Sequence, residues 1–174
     1  FCRENEVMDV SGERHRGLLT GDDMARWQAT YEDPLTYDYH GFTVCKTGPW
    51  GQGPAFLQQL ALLAGFDFSA MTEESPEFVH TVIECSKLAF ADREAFYGDP
   101  DFVDVPVDVL LSDAYNEARR ALVGEQASFE LRPGDIPGFG GKVVVREVSE
   151  GGGQGAGEPT VARFDEAPAE GGAV

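Results

Sequence analysis

The sequence predicts a domain of the mixed α/β (α+β) class that is mainly helical. Three observations lead there. A long helical stretch opens at Ser75-Pro76 and runs into a turn at Gly98. Two alternating runs, Leu35-Tyr37-Tyr39 and Phe42-Val44-Lys46, flank His40-Gly41 as the strands of a hairpin would. Further capped, periodic segments follow Thr20, Pro54 and Ser112.

The chain has 174 residues, enough for one domain with a real core. With 13 basic and 31 acidic residues the formal net charge is −18. That excludes a nucleic-acid phosphate binder, which needs a basic face. The excess acid reads as a strongly hydrated surface. No apolar run approaches the length of a membrane span. Cys2, Cys45 and Cys85 are odd in number and widely spaced, so neither a disulfide framework nor a zinc pattern is expected. Phe1-Cys2-Arg3-Glu4-Asn5 carries no initiator Met and reads as the tail of a helix. The expectation is a piece of a longer polypeptide.

Taken in order, the segment from Phe1 to Gly17 is polar and is expected to be a helix end and a loop, with His15 a solvated loop residue. Thr20 caps a short helix, with Asp23 reaching back in a capping-box arrangement. Met24, Trp27 and Tyr31 follow at i, i+3 and i+7 and predict an inward face. After the hairpin comes Thr47-Gly48-Pro49-Trp50-Gly51-Gln52-Gly53-Pro54, a Gly-rich loop between a strand and a helix. It matches neither a P-loop nor a GxGxxG fingerprint. Its glycines are read as serving a tight turn rather than cradling an anion. Pro54 opens the next helix, where Phe56, Leu57, Leu60 and Leu63 are expected to face inward and Gly65 ends the run.

The stretch Glu77 to Asp104 organises the rest. Ser75 is the N-cap, Pro76 the first helical residue, and Glu77 puts negative charge in the first turn. Val79, Ile83 and Phe90, with Val82, Ser86 and Ala89 beside them, predict a broad buried stripe. Gly98 stops the helix and Pro100 prevents continuation. Cys85 is expected as a small core residue. His80 and Glu84 stand at i, i+4, read as a side-chain pair in preference to half of a metal site. Ser112 caps a further helix that closes with Arg119, Arg120 and Gly124. From Asp135 the composition shifts: ten of the 21 glycines lie in the last 40 residues. A flexible segment over residues 135–174 is expected, with a short strand at Val143-Val144-Val145.

The run Lys87 to Tyr115 carries Ala91-Asp92-Arg93, then Gly98-Asp99-Pro100-Asp101-Phe102, then Val105-Pro106. Three ordered motifs at this spacing resemble the large-subunit segment of γ-glutamyltransferases. The resemblance extends over Gly17 to Gly134 through Leu19-Thr20, Asp23, the loop Gly48–Gly53 and Leu131-Arg132-Pro133-Gly134. Many members have Pro-Ser-Ser-Gly-Gly where this chain has Trp50 and Gln52, which marks a divergent branch. The resemblance implies an N-terminal-nucleophile αββα sandwich, of which residues 1–134 would form the C-terminal part of the large subunit. Residues 135–174 would lead to an autocleavage site.

No nucleophile–base pair is visible: there is no GxSxG, no SxxK, and no recognised Cys–His spacing. Asp22-Asp23, Glu73-Glu74 and Asp99-Asp101 are explained by capping and hydration. The resemblance accounts for the gap. It implies a precursor that cuts itself to release a small subunit whose new N-terminal threonine is the nucleophile and whose own amine is the base. That threonine and the arginine that holds the substrate α-carboxylate are expected outside Phe1–Val174. Neither role passes to Thr160, Arg93 or Arg132. No residue here is assigned a catalytic, cofactor-binding or metal-ligating role, and no cofactor is expected. The implied activity is γ-glutamyl transfer to water or an amino acid, with a small subunit as partner. The alternatives are an acylase of the same superfamily, acting on β-lactam side chains or polyglutamate, and a non-catalytic scaffold.

Overall fold

The computed structural model describes residues 3–8 and 14–140. They divide into two compact units, one ending at Thr30 and the other beginning at Tyr31. Val143–Val145, Thr160 and the Gly-rich run expected beyond Gly140 lie outside the described residues.

In the first unit, β1 (Glu6–Met8) pairs antiparallel with β2 (Arg14–Arg16), Glu6 opposite Arg16. A helix end and loop were expected here, so this is a correction, and His15 lies in a strand. Cross-strand pairing of opposite charge supports the ribbon: Arg16 Nε donates to Glu6 Oε1 at 3.2 Å and Arg14 donates to the Glu6 carbonyl at 2.7 Å. Helix α1 (Gly21–Arg26) starts at the predicted box, Asp23 N–H donating to Thr20 Oγ1 at 3.0 Å and Thr20 N–H to Asp23 Oδ2 at 2.9 Å. The inward face expected of Met24, Trp27 and Tyr31 does not form. The helix ends at Arg26 and Trp27 is already extended, so helical spacing no longer relates these residues, and all three are exposed.

The second unit opens with the predicted hairpin, β3 (Leu35–Tyr39) and β4 (Phe42–Lys46). His40 at φ 49° and Gly41 at φ 85° form its two-residue turn, with positive φ at both central positions, as the strand twist favours. Helix α2 (Gly53–Leu63) packs on α3 (Pro76–Phe96), on the hairpin and on α5 (Asp113–Arg120); the short α4 (Val107–Leu110) precedes α5. Ser75 caps α3 by accepting from Phe78 N–H at 3.2 Å, and Ser112 caps α5. One apolar cluster joins Leu62, Cys85, Leu88 and Ala89; a second joins Phe96, Leu110 and Ile136.

The buried face of α3 differs from the predicted stripe. Val79 and Ile83 are 49% and 51% exposed, and Phe90 is also exposed. The residues that go inside are Thr81, Glu84, Cys85, Leu88, Ala89, Ala91, Asp92 and Phe96. Two carboxylates therefore sit on the core side, where cations from α5 and the chain after it meet them. In α2 the buried set is Gly53, Pro54, Ala55, Leu57, Gln58, Ala61 and Leu62; Leu57 faces inward as expected, Leu60 and Leu63 are half-buried, and Phe56 is exposed, contrary to expectation. Among the described residues the strands make only two two-stranded sheets, and helices predominate. No helix among them is long and apolar enough to cross a membrane.

Candidate functional site

The loop between β4 and α2 frames a cavity of about 280 Å³ lined by Lys46, Thr47, Gln52, Gly53, Phe56 and Phe90, among others. Gly53 is required by a close approach. A Cβ there would overlap the Thr47 carbonyl oxygen and lie 3.1 Å from Lys46 Cβ. Gly51 N–H donates to the Gly48 carbonyl at 3.4 Å, which closes the turn. Lys46 Nζ lies 5.3 Å from the Phe56 ring centroid. The turn reading of the glycines thus has a direct steric basis. The cavity offers a cation, amides and two aromatic rings. Its lining contains no cysteine, histidine or carboxylate to activate a nucleophile.

The polar centre of the unit lies instead on the inner face of α3. Asp92, fully buried, is the hub. Gln58 Nε2 donates to its Oδ2 at 2.6 Å, and Arg119 Nε reaches the same oxygen at 3.2 Å. A second Arg119 nitrogen stands 3.0 Å from Oδ1, which also accepts Gly134 N–H at 2.7 Å. Arg119 donates onward to the Arg132 carbonyl and, at 3.4 Å, to that of Leu88. Two turns earlier, Glu84 accepts from Arg132 at 3.0 Å and from Ser128 N–H at 3.2 Å, and pairs with Lys87. Burial pushes the Glu84 carboxyl up, but the hydrogen bonds from Lys87 and Ser128 and the charges of Lys87 and Arg132 together hold it below its ordinary value. Burial raises the phenols of Tyr97 and Tyr115 and pushes the Cys85 thiol up to about 12, so these groups stay neutral.

These contacts place several residues that the sequence singles out. Asp92 of the Ala-Asp-Arg motif and Arg132-Pro133-Gly134 hold one another, so the two motifs are one structural joint. Arg93 lies beside Glu94 at 3.2 Å and over the Phe90 ring. His80 Nε2–H donates to the Gly124 carbonyl at 2.7 Å while Glu84 faces Arg132, so the i, i+4 spacing does not bring His80 and Glu84 to a shared ligand. Among the described residues no group of three His, Cys, Asp or Glu side chains is arranged to hold a metal. Asp99 accepts from Asp101 N–H at 2.9 Å, and Asp23 serves the α1 cap. The sequence singles out neither Gln58 nor Asn116, and gives Glu84 only as a partner of His80 and Arg119 only as a helix end; all four are buried. The available signal was Glu84, Leu88 and Asp92 at i, i+4, i+8, an acidic–apolar–acidic row that cannot be buried without cations.

The family model of gamma-glutamyltranspeptidase matches residues 6–148. The glutathione hydrolase proenzyme of Escherichia coli is 32% identical over 128 residues, 71% of this chain and 22% of that protein. A solved structure described as LmbA2991HD is similar at 55% identity and a TM-score of 0.68, covering 76% of this chain and 22% of that one. The cephalosporin acylase from Bacillus halodurans is similar at 37% identity and a TM-score of 0.59, covering 64% of this chain and 20% of that one. The chain therefore spans about a fifth of the length of these relatives. Its helices and hairpin share the fold of the matching part of those structures. The match runs through the Asp92 and Glu84 joint, and the chain belongs to the gamma-glutamyltranspeptidase family.

Proposed function

We propose that this chain is the C-terminal part of the large subunit of a γ-glutamyltransferase or glutathione hydrolase. Residues 1–134 supply packed large-subunit structure within an αββα sandwich, and residues 135–174 lead toward the autocleavage site. The family match over residues 6–148 carries this reading. The precursor hydrolyses one of its own peptide bonds: water supplies the hydroxyl of the new carboxyl group and a proton to the new amine. The threonine so freed lies outside this chain and belongs to the small subunit. Its hydroxyl attacks the γ-glutamyl carbonyl and its amine takes the proton. The leaving amine takes that proton as it departs, and the acyl group of the ester formed passes to water or to an amino acid, freeing the threonine hydroxyl. The described residues suit the role of wall and support. Their buried carboxylates are occupied by arginines, and the loop cavity is lined by no histidine, cysteine or carboxylate.

A second reading, an acylase of the same superfamily, is favoured by one observation. Among the solved structures matched over a similar share of the chain, identity to the cephalosporin acylase, 37%, exceeds that to the gamma-glutamyltranspeptidases of Helicobacter pylori, 28%, and Pseudomonas nitroreducens, 30%. Turnover of a γ-glutamyl anilide and of a glutaryl amide by the intact protein separates the two. Preference for the first supports γ-glutamyl chemistry, and preference for the second replaces it with the acylase. The chain alone is expected to turn over neither. Thr160→Ala in the intact enzyme is expected to leave turnover largely unchanged. Activity of purified Phe1–Val174, or loss of the acyl-enzyme in a folded Thr160→Ala variant, would show that the nucleophile was placed wrongly. An intact protein that forms no acyl-enzyme with either substrate would be the scaffold relative.

A further inference from the structure

Helix α3 is apolar on two sides. Its inner side buries Cys85, Leu88 and Ala89 with Leu62. Its outer side carries Val79, Ile83 and Phe90, which at 49%, 51% and 37% exposure keep much of their surface uncovered. Phe56 of α2, 44% exposed, lines the loop cavity together with Phe90. Ser86 Oγ donates across the two helices to Gln59 Oε1 at 3.1 Å. Ser86 and Gln59 each stand one turn from these apolar residues, so Val79, Ile83, Phe90 and Phe56 follow one seam. Leu18, Phe102 and Phe129 are also exposed, but each stands singly in a loop and needs no partner. A contiguous helical patch is different, because a helix apolar on both sides belongs between two layers.

The occupant follows from length and charge. This chain spans about a fifth of the length of its relatives, and those longer chains contain the part that matches these helices. A tethered part of one polypeptide meets the seam at an effective concentration of roughly millimolar, which a free second copy does not reach. Lys46 is the charged residue of the cavity lining, its Nζ 5.3 Å from the Phe56 ring centroid. Covering the seam takes that ammonium out of water, which is tolerable only if an oxygen acceptor arrives with the cover. We infer that the seam between α2 and α3 docks an apolar surface of the same polypeptide from outside residues 1–174, one that sets an oxygen acceptor against Lys46. The inference rests on the reading of this chain as part of a larger enzyme, and it gives the seam no catalytic role.

The experiment uses the intact protein. Phe90→p-benzoylphenylalanine is irradiated after exchange with nitrogen-15-labelled protein, and mass spectrometry separates cross-links within a molecule from those between copies. Cross-links to the same molecule outside residues 1–174 are expected. Cross-links to a second copy, or only to residues 1–174, overturn the inference. In a separate variant, Ile83→Cys is treated with a maleimide in the folded and the unfolded protein, and peptide mapping distinguishes it from Cys45 and Cys85. Labelling of the folded protein should be slower by roughly a hundredfold or more. A rate near that of the unfolded protein overturns the inference, even where the photoreactive variant does not fold. Adding Lys46→Glu to Ile83→Cys should raise the folded-state rate roughly tenfold, because a like charge then faces the acceptor; an unchanged rate overturns the acceptor. Turnover of a γ-glutamyl anilide by the same Ile83→Cys sample and its parent keeps the two readings apart. A protected seam in a parent without turnover sinks the enzymatic reading and leaves the docking standing. An open seam in an active enzyme does the reverse.

Discussion

Asp92→Ala isolates the contact that joins three elements and a loop. The Asp92 side chain is fully buried and the Arg119 side chain is 6% exposed. Truncation removes the acceptor from Gln58, Arg119 and Gly134 at once. It leaves the guanidinium buried with only the carbonyls of Leu88 and Arg132. Breaking a buried pair from one side costs about 3–5 kcal/mol. The two retained carbonyls keep the loss within that range, although hydrogen bonds to charged groups are worth about 1.5–3 kcal/mol each. Total stabilities run to about 5–15 kcal/mol, so a substantial share is at stake. Urea denaturation measures it, provided the slope with denaturant is unchanged. The double variant Asp92→Leu/Arg119→Met removes the unpaired charge and is expected to regain part of the loss, with Gln58 Nε2 and Gly134 N–H still lacking their acceptor. A single variant that loses less than about 1 kcal/mol would refute the reasoning, because removing one partner of a buried pair should cost more. So would a double variant as unstable as the single.

Three further outcomes are expected. Gly53→Ala forces a Cβ into the Thr47 carbonyl, a backbone atom that cannot swing aside, and should cost about 1–3 kcal/mol in thermal denaturation; an unchanged midpoint would show that the loop is slack. The Glu84 carboxyl lies lower when folded than unfolded, so its contribution is full above the unfolded carboxylate range and fades as pH falls through the folded value. Glu84→Gln should therefore flatten the acid limb of a stability–pH curve, and an unaltered limb would contradict the assignment. Cys45 is exposed, whereas Cys85 is buried with its thiol pushed up to about 12. Iodoacetamide at mildly alkaline pH should label Cys45 in the folded protein and Cys85 only after denaturation, as peptide mass mapping would show.

The elements that local chemistry specifies were legible in the sequence. The caps at Thr20, Ser75 and Ser112, the turn at His40-Gly41 and the start of α2 near Pro54 stand where cap and turn rules put them. Each depends on residues within a few positions of one another. The ordered motifs of Lys87 to Tyr115 also pointed to the family before any coordinates. The errors have a common origin. At Met24, Trp27 and Tyr31, helical spacing was extended past a helix of 6 residues. On α3, the more apolar stripe predicts the core face, whereas the buried face is the one that carries Glu84 and Asp92.

Which face of α3 turns inward depends on what lies opposite. Val79, Ile83 and Phe90 are the hydrophobic choice by composition, yet the other side is buried because Arg119 and Arg132 arrive there to neutralise the carboxylates. Those arginines stand 27 and 48 residues along the chain from the carboxylates they meet. No periodicity within one helix encodes that pairing. The sequence by itself determined the hairpin, the capped helices and the family, but not the pairing of β1 with β2. The tertiary structure alone decided that the family's motifs form a buried joint, because desolvating a charge is tolerable only where folding brings a counter-charge to it.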